Sequence, residues 1–236
     1  MKFTYLLIDF FTLIFPLLFS FHPKLNFFKT WNALFPSIFF SAIPFVAFDI
    51  YFTHLKVWGF NPQYISGYFI ANLPVEEIAF FFCIPYACLF TYHCLKQLLP
   101  IRSTIENSQV VSAFFLAGSL LITFLFRQEL YTVFTFISLL FLLIVAQYIC
   151  RVNWLRRFYL TYLLLLLPFF IVNGLLTGTG PDQPVVWYNN LQIAGPRLLT
   201  IPVEDIFYGM DLILLNLLFY HYFQEIYVRL GQNTRP

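Results

Sequence analysis

LPVEEIAFF, at residues 73–81, returns 128 residues later as IPVEDIFYG, at 201–209. The same offset pairs Asn61 with Asn189, Gly67 with Gly195, Pro74 with Pro202 and Glu76 with Glu204. It also pairs Glu77 with Asp205, Phe80 with Tyr208, and Tyr92-His93 with Tyr220-His221. Upstream the offset falls to 124, pairing Pro44 with Pro168 and Asp49 with Asn173. The second copy therefore carries a four-residue insertion, which the spacing puts around Thr177–Gln183. Phe/Leu-rich sequence matches itself by chance, but a repeated P-V-E-[ED] with polar residues in register on both sides does not.

The chain around this repeat is too apolar for water. Of its 236 residues 60% are hydrophobic, 22% aromatic and 10% charged, against roughly 25% charged in a soluble domain. So few charges cannot cover a soluble surface, whereas in lipid the outside need not face water. A net charge of +2 gives no reason to expect a nucleic acid partner. The four cysteines, Cys83, Cys88, Cys94 and Cys150, sit in apolar runs without metal-ligand spacing, so they read as small buried hydrophobes and no metal site is expected.

Seven segments approach the roughly 20 apolar residues that a bilayer helix needs: Phe3–Phe21, Ala33–Thr53, Pro74–Leu95, Gln109–Phe126, Leu130–Cys150, Phe158–Thr177 and Pro202–Phe223. The first is not a cleaved signal, because Asp9 interrupts it and His22-Pro23-Lys24 follows where small residues should be. Charge sets the orientation. The side shared with the N-terminus holds Lys2, Lys56, Arg127 and Arg197. The other holds Lys24, Lys29, Lys96, Arg102, Arg151, Arg156, Arg157, Arg229 and Arg235. An integral protein of the plasma membrane, N-terminus outside and C-terminus cytoplasmic, is the expectation.

Each copy is then a three-helix unit, helices one to three and five to seven. An odd number of crossings would invert the second copy if the two were fused directly, and the fourth helix restores it. The expected fold is an all-α membrane protein with seven transmembrane helices and two parallel three-helix repeats, at 1–100 and 129–236, joined by a linker helix at 101–128. Their common axis lies along the membrane normal, and both motifs share one face.

Ionisable groups within a span are costly and suggest function. Pro74 and Pro202 suit a first helical turn, which places Glu76, Glu77, Glu204 and Asp205 at positive helix ends. Acids at helix starts are ordinary, but adjacent pairs recurring in both copies are less so. Asn61–Leu73 carries no charge and, with Leu191–Ile201, reads as a segment folded over the mouth of the bundle. Asp49, Asn173, Asn61 and Asn189 are then inward-facing polar groups. With Pro74, Phe80, Pro202 and Tyr208 they form the expected substrate-facing set. A carboxyl near hydrocarbon can hold its proton at neutral pH, and a neighbouring carboxyl can recover one, which suits general acid–base work. Some of the 33 Phe, 15 Tyr and 4 Trp could turn ring faces toward a cation.

These motifs resemble the transmembrane lycopene cyclase domain family, in the form where two small homologous subunits are fused. The stretches FDIYFTHLKVWGFNP, LPVEEIAFFFCIPY, NGLLTGTG and IPVEDIFYGMDLILLN carry the resemblance. It implies non-redox β-cyclisation of lycopene, a linear carotenoid. An acid protonates the terminal C1–C2 double bond, the cation closes onto C5–C6, and a base removes a proton from C6. Glu76 and Glu204 match the family's motif acids, with Glu77 and Asp205 beside them, and donor and base are not assigned individually. Gly178-Thr179-Gly180 is the only G-x-G and precedes no β-α-β pattern, so no tightly bound dinucleotide is expected. A dissociable reduced flavin or nicotinamide stays open, as do oligomeric state and the number of rings formed. The alternative function is a small proton-coupled transporter using the paired acids as carriers. A retinal photoreceptor fails, because Pro202–Phe223 contains no lysine.

Overall fold

The computed structural model describes residues 2–99 and 105–233, so Arg102 and Arg235 of the charge count lie outside the described residues. Seven α-helices occur there. The first copy supplies α1 (Thr4–Phe19), α2 (Trp31–His54) and α3 (Val75–Leu98). The linker is α4 (Ile105–Leu125), and the second copy supplies α5 (Leu130–Ile144), α6 (Leu155–Thr177) and α7 (Val203–Asn233). Six are long and apolar enough to cross a bilayer. The seventh, α1, has 16 residues, about 24 Å at 1.5 Å per residue. The protein is an all-α membrane protein built on two parallel three-helix repeats. Helix α7 outruns the expected span, continuing past Phe223 to Asn233.

Between the second and third helix of each copy the chain makes short strands that its apolar pattern had not announced. They are β1 (Trp58–Phe60), β2 (Phe69–Ile70) and β3 (Leu73–Pro74) in the first copy, and β4 (Val186–Tyr188), β5 (Arg197–Leu198) and β6 (Ile201–Pro202) in the second. Backbone polar groups near hydrocarbon need partners, and these segments find them in each other. Strands β2 and β3 form one hairpin and β5 and β6 another, while β1 pairs antiparallel with β4 across the repeats. That ladder is centred on Gly59 opposite Trp187, with Trp58 opposite Tyr188 and Phe60 opposite Val186. Because 59 and 187 are themselves repeat-equivalent, a pseudo-two-fold axis passes through this pair. Flanking bonds obey the same symmetry: Asn61 N–H donates to Val185 O and Asn189 N–H to Val57 O, both at 2.8 Å. Both acid motifs thus stand at one end of the bundle. The centre of the ladder is asymmetric in size, since the Trp187 indole lies where a Cβ on residue 59 would be.

The insertion falls where the offset placed it, between α6 and β4. Residues 55–57 bridge α2 to β1, and 178–185 do the same work in the second copy. Gly178, at φ +114, ends α6 in the left-handed region that glycine tolerates. Linker α4 is fastened to a π-turn at Val145–Ile149, where Gln147 Oε1 accepts the Ser108 and Ser112 hydroxyls at 3.0 and 2.9 Å. His93 and His221 lie at the end opposite the acids, His221 stacked on Trp154 and His93 bonded to Leu25 O.

The copies differ in one packing relation. Helix α2 lies close along both α3 and α7, whereas its counterpart α6 stands off from both. The space left beside α6 is a cavity.

Candidate functional site

The cavity has a volume of about 600 Å³ and runs between α1, α3, α6 and α7. From Glu77 to Thr91 along α3 it is about 20 Å deep. Leu7, Phe11 and Phe15 of α1 and Ile171 of α6 line it while remaining exposed on the flank of the bundle, so it opens sideways to lipid. Its polarity is confined to the end under the strands. Deeper hydroxyls are spent locally: Thr12 on Ile8 O, Thr91 on Ala87 O and Tyr162 on Ile206 O. What remains is an apolar shaft under a polar cap.

All four motif acids are buried, with Glu76 and Glu204 at 0% exposure, Glu77 at 9% and Asp205 at 6%. Consecutive positions on a helix differ by about 100°, so the two acids of a pair face different neighbours. Glu76 and Glu204 turn to their own loops. Ser66 N–H donates to Glu76 Oε1 at 2.6 Å, and the equivalent Ala194 N–H donates to Glu204 Oε1 at 2.6 Å. Thr132 Oγ1 adds a second bond to Glu204 Oε1 at 2.5 Å. Each of these glutamates ties the strand-bearing segment to the helix that follows.

Glu77 and Asp205 instead face the cavity. Tyr5 of α1 donates to Glu77 Oε2 at 2.6 Å, and Tyr131, at the matching place on α5, donates to Asp205 Oδ1 at 2.8 Å. The remaining partners differ. Asp205 Oδ2 accepts from Tyr188 at 2.9 Å, where the first copy has Phe60. Glu77 lies within hydrogen-bonding range of Asp49, whose Oδ1 accepts from Tyr208 at 2.8 Å. Burial and the adjacent Asp205 hold the Tyr188 phenol well above its ordinary value, so it stays a donor. Trp58, Tyr131 and Tyr208 crowd the same end, with ring centroids of Trp58 and Tyr131 5.0 Å apart and of Tyr131 and Tyr208 5.7 Å apart.

Of the eight positions read as substrate-facing, Asp49, Phe80, Asn173 and Tyr208 line the cavity. The other four sit in the cap above it. Asn61 and Asn189 close equivalent turns, their side-chain oxygens accepting Gln63 N–H and Leu191 N–H at 3.0 Å. Pro74 and Pro202 end strands β3 and β6, and Pro74 is the N-cap of α3 where a first-turn place was expected. Tyr5, Tyr131, Tyr188 and Trp58 join the site without having been singled out in the sequence. Nor had Asp211 of α7, which accepts Ser138 Oγ at 2.5 Å. Asp9 of α1 is buried within electrostatic reach of Glu77 and Glu76.

A family model described as lycopene cyclase matches residues 2–95 and again 128–223. The matched segments contain every residue of the cavity cap and leave out α4. No curated protein and no solved structure matches the chain.

Proposed function

Since the chain belongs to the lycopene cyclase family, we propose that it closes the acyclic ends of lycopene into β-rings by proton-initiated, redox-neutral cyclisation. One observation carries this reading: an apolar shaft open to lipid ends at three carboxyl groups, Asp49, Glu77 and Asp205, among aromatic faces. A hydrocarbon chain fits the shaft, and only its end meets ionisable groups. A transporter would need polar steps along the path, and the deeper hydroxyls here are bonded to their own helices or to neighbouring backbone.

Glu77 is the proton donor and Asp205 the base in this proposal. Two carboxyls within hydrogen-bonding range, Glu77 and Asp49, need a proton between them. Asp205 accepts two phenol hydrogen bonds, a setting made for a carboxylate. Glu77 protonates C2 of the terminal double bond, and the positive charge forms at C1. The C5–C6 π electrons close the ring, and Asp205 takes the proton from C6. Ring faces of Trp58, Tyr131 and Tyr208 offer the cation stabilisation of about 0.5–2 kcal/mol each where desolvated. Glu76 and Glu204 hold the cap in place. Asp49, Phe80, Asn173 and Tyr208 contact the substrate end, while Asn61, Asn189, Pro74 and Pro202 shape the turns above it. The reaction moves no net electrons, so a reductant is no part of its balance.

The two matched segments support units at 1–100 and 129–236 with a linker at 101–128. We place the protein in the plasma membrane, and the cation count favours an orientation with the acid end outside. Product analysis in a lycopene-accumulating host tests the activity: one- or two-ring carotenoids are expected, and unchanged lycopene beside abundant, membrane-inserted protein defeats it.

A further inference from the structure

We propose that Tyr208 and Asp49 return to Glu77 the proton that Asp205 collects, closing each cycle inside the protein. This rests on the cyclase reading above. Each ring closure leaves Glu77 as carboxylate and Asp205 as acid, so one proton must travel back before the next turnover. Glu77 is 9% exposed and Asp205 6%, and each is covered by strands that bind one another through backbone bonds. Tyr208 bridges the copies toward Glu77: it belongs to the second copy, one turn after Asp205, yet its hydroxyl donates to Asp49 of the first copy at 2.8 Å. Asp49 in turn lies within hydrogen-bonding range of Glu77. On the other side Tyr131 donates to Asp205 at 2.8 Å, and its ring is 5.7 Å from that of Tyr208.

The step balances. Asp205 gives up its proton through Tyr131 and a cavity water. Each hydroxyl accepts one proton and releases its own. Tyr208 passes one to Asp49, and Asp49 passes one to Glu77. Asp205 ends as carboxylate and Glu77 as acid, with no co-reactant used. Repeat symmetry singles out the route, because the equivalents of Tyr208 and Asp49 are Phe80 and Asn173, which cannot form a carboxyl relay on the other diagonal. Asp49 and Tyr208 act here through Glu77, so their signature is kinetic.

The test uses the full chain in liposomes carrying lycopene, with rings counted per enzyme from the first turnover onward. Tyr208→Phe copies the residue already present at Phe80, so the ring is kept and only the hydroxyl is lost. The expected record is a first ring per enzyme, itself slowed because the hydroxyl leaves the pocket, followed by later turnovers slowed by a further factor of roughly 10². Asp49→Asn also removes the carboxyl that shares a proton with Glu77, so its first ring should slow as well, with later turnovers slowed by a further factor of roughly 10². Equal slowing of both phases would mean that the two residues only shape the pocket, and unchanged later turnovers would mean that protons arrive by another route. Either result overturns the relay while leaving the cyclase intact. A wild-type chain that forms no ring at all overturns the cyclase reading itself.

Discussion

On one side of the pseudo-two-fold axis three phenylalanines fill the space between helices, and on the other side three aliphatic residues leave it open. Phe48 and Phe52 of α2 meet Phe134 of α5, with centroids 4.1 and 5.0 Å apart. Their repeat-equivalents are Val172 and Leu176 of α6 and Ile8 of α1, and all three line the cavity. The duplicated unit thus has a chamber on the α6 side where the α2 side holds three packed rings. Each half supplies the second acid of its motif to this chamber, and the first half adds Asp49. Duplication gave the pair of acids its symmetry, and side-chain volume decided which side of the pair can take a guest.

The largest effect expected on this contrast comes from the acids at its centre. Glu77→Gln or Asp205→Asn should lower ring formation by about 10²–10⁴-fold, the range of general acid–base help, with membrane protein quantified alongside pigment. Glu76→Gln and Glu204→Gln should act chiefly through the loop anchors. Their loss should appear as lower thermal stability, about 1–3 kcal/mol for a weakened buried hydrogen bond. Should the Glu76 and Glu204 variants prove the more damaging to chemistry, the division of labour between the adjacent acids is reversed.

Next comes the contrast itself. Val172→Phe transplants the plug into the open chamber, and a single extra methylene in an apolar pocket is already worth about 10–200-fold. Turnover should drop by about 10²-fold, read from initial rates in membranes. The mirror change, Phe48→Val, should leave rates within a few-fold. Equal sensitivity on both sides would show two working chambers.

A smaller effect separates the two acids. Tyr188→Phe gives Asp205 the apolar neighbour that Glu77 has in Phe60, removing one bond to a charged group worth about 1.5–3 kcal/mol. Ring formation should fall by roughly 10- to 100-fold, and an unaltered rate would argue against Asp205 as the base. Smallest for activity is Gly59→Ala. The added methyl meets the Trp187 indole, and overpacking of this kind costs about 1–3 kcal/mol of stability, measurable as a lowered melting temperature in detergent.

Helix number, the repeated motif, the insertion after α6 and the buried acid pairs were all legible in the sequence, because each leaves a mark against an apolar background. The partners of the acids were not. Tyr5 and Tyr131 are two among 15 tyrosines, and only packing of α1 on α3 and of α5 on α7 reveals that both reach the second acid of the motif. The offset that relates them is 126, different from either offset visible in the flanking sequence. Asp211 could have been found from its place two turns into an apolar helix. The closed chamber could not, since Phe, Val, Ile and Leu all suit lipid and protein interiors alike. The strands were hidden too, being two or three residues long and held by backbone bonds.

The Gly59–Trp187 pair on the axis has a consequence for ancestry. In a dimer of identical units a residue on the symmetry axis faces its own copy. Two first units would set glycine against glycine and leave a hole, and two second units would drive two indoles into one volume. A mixed pair instead fills this volume with one indole, so a fused chain, which supplies one of each, suits the contact better than either homodimer.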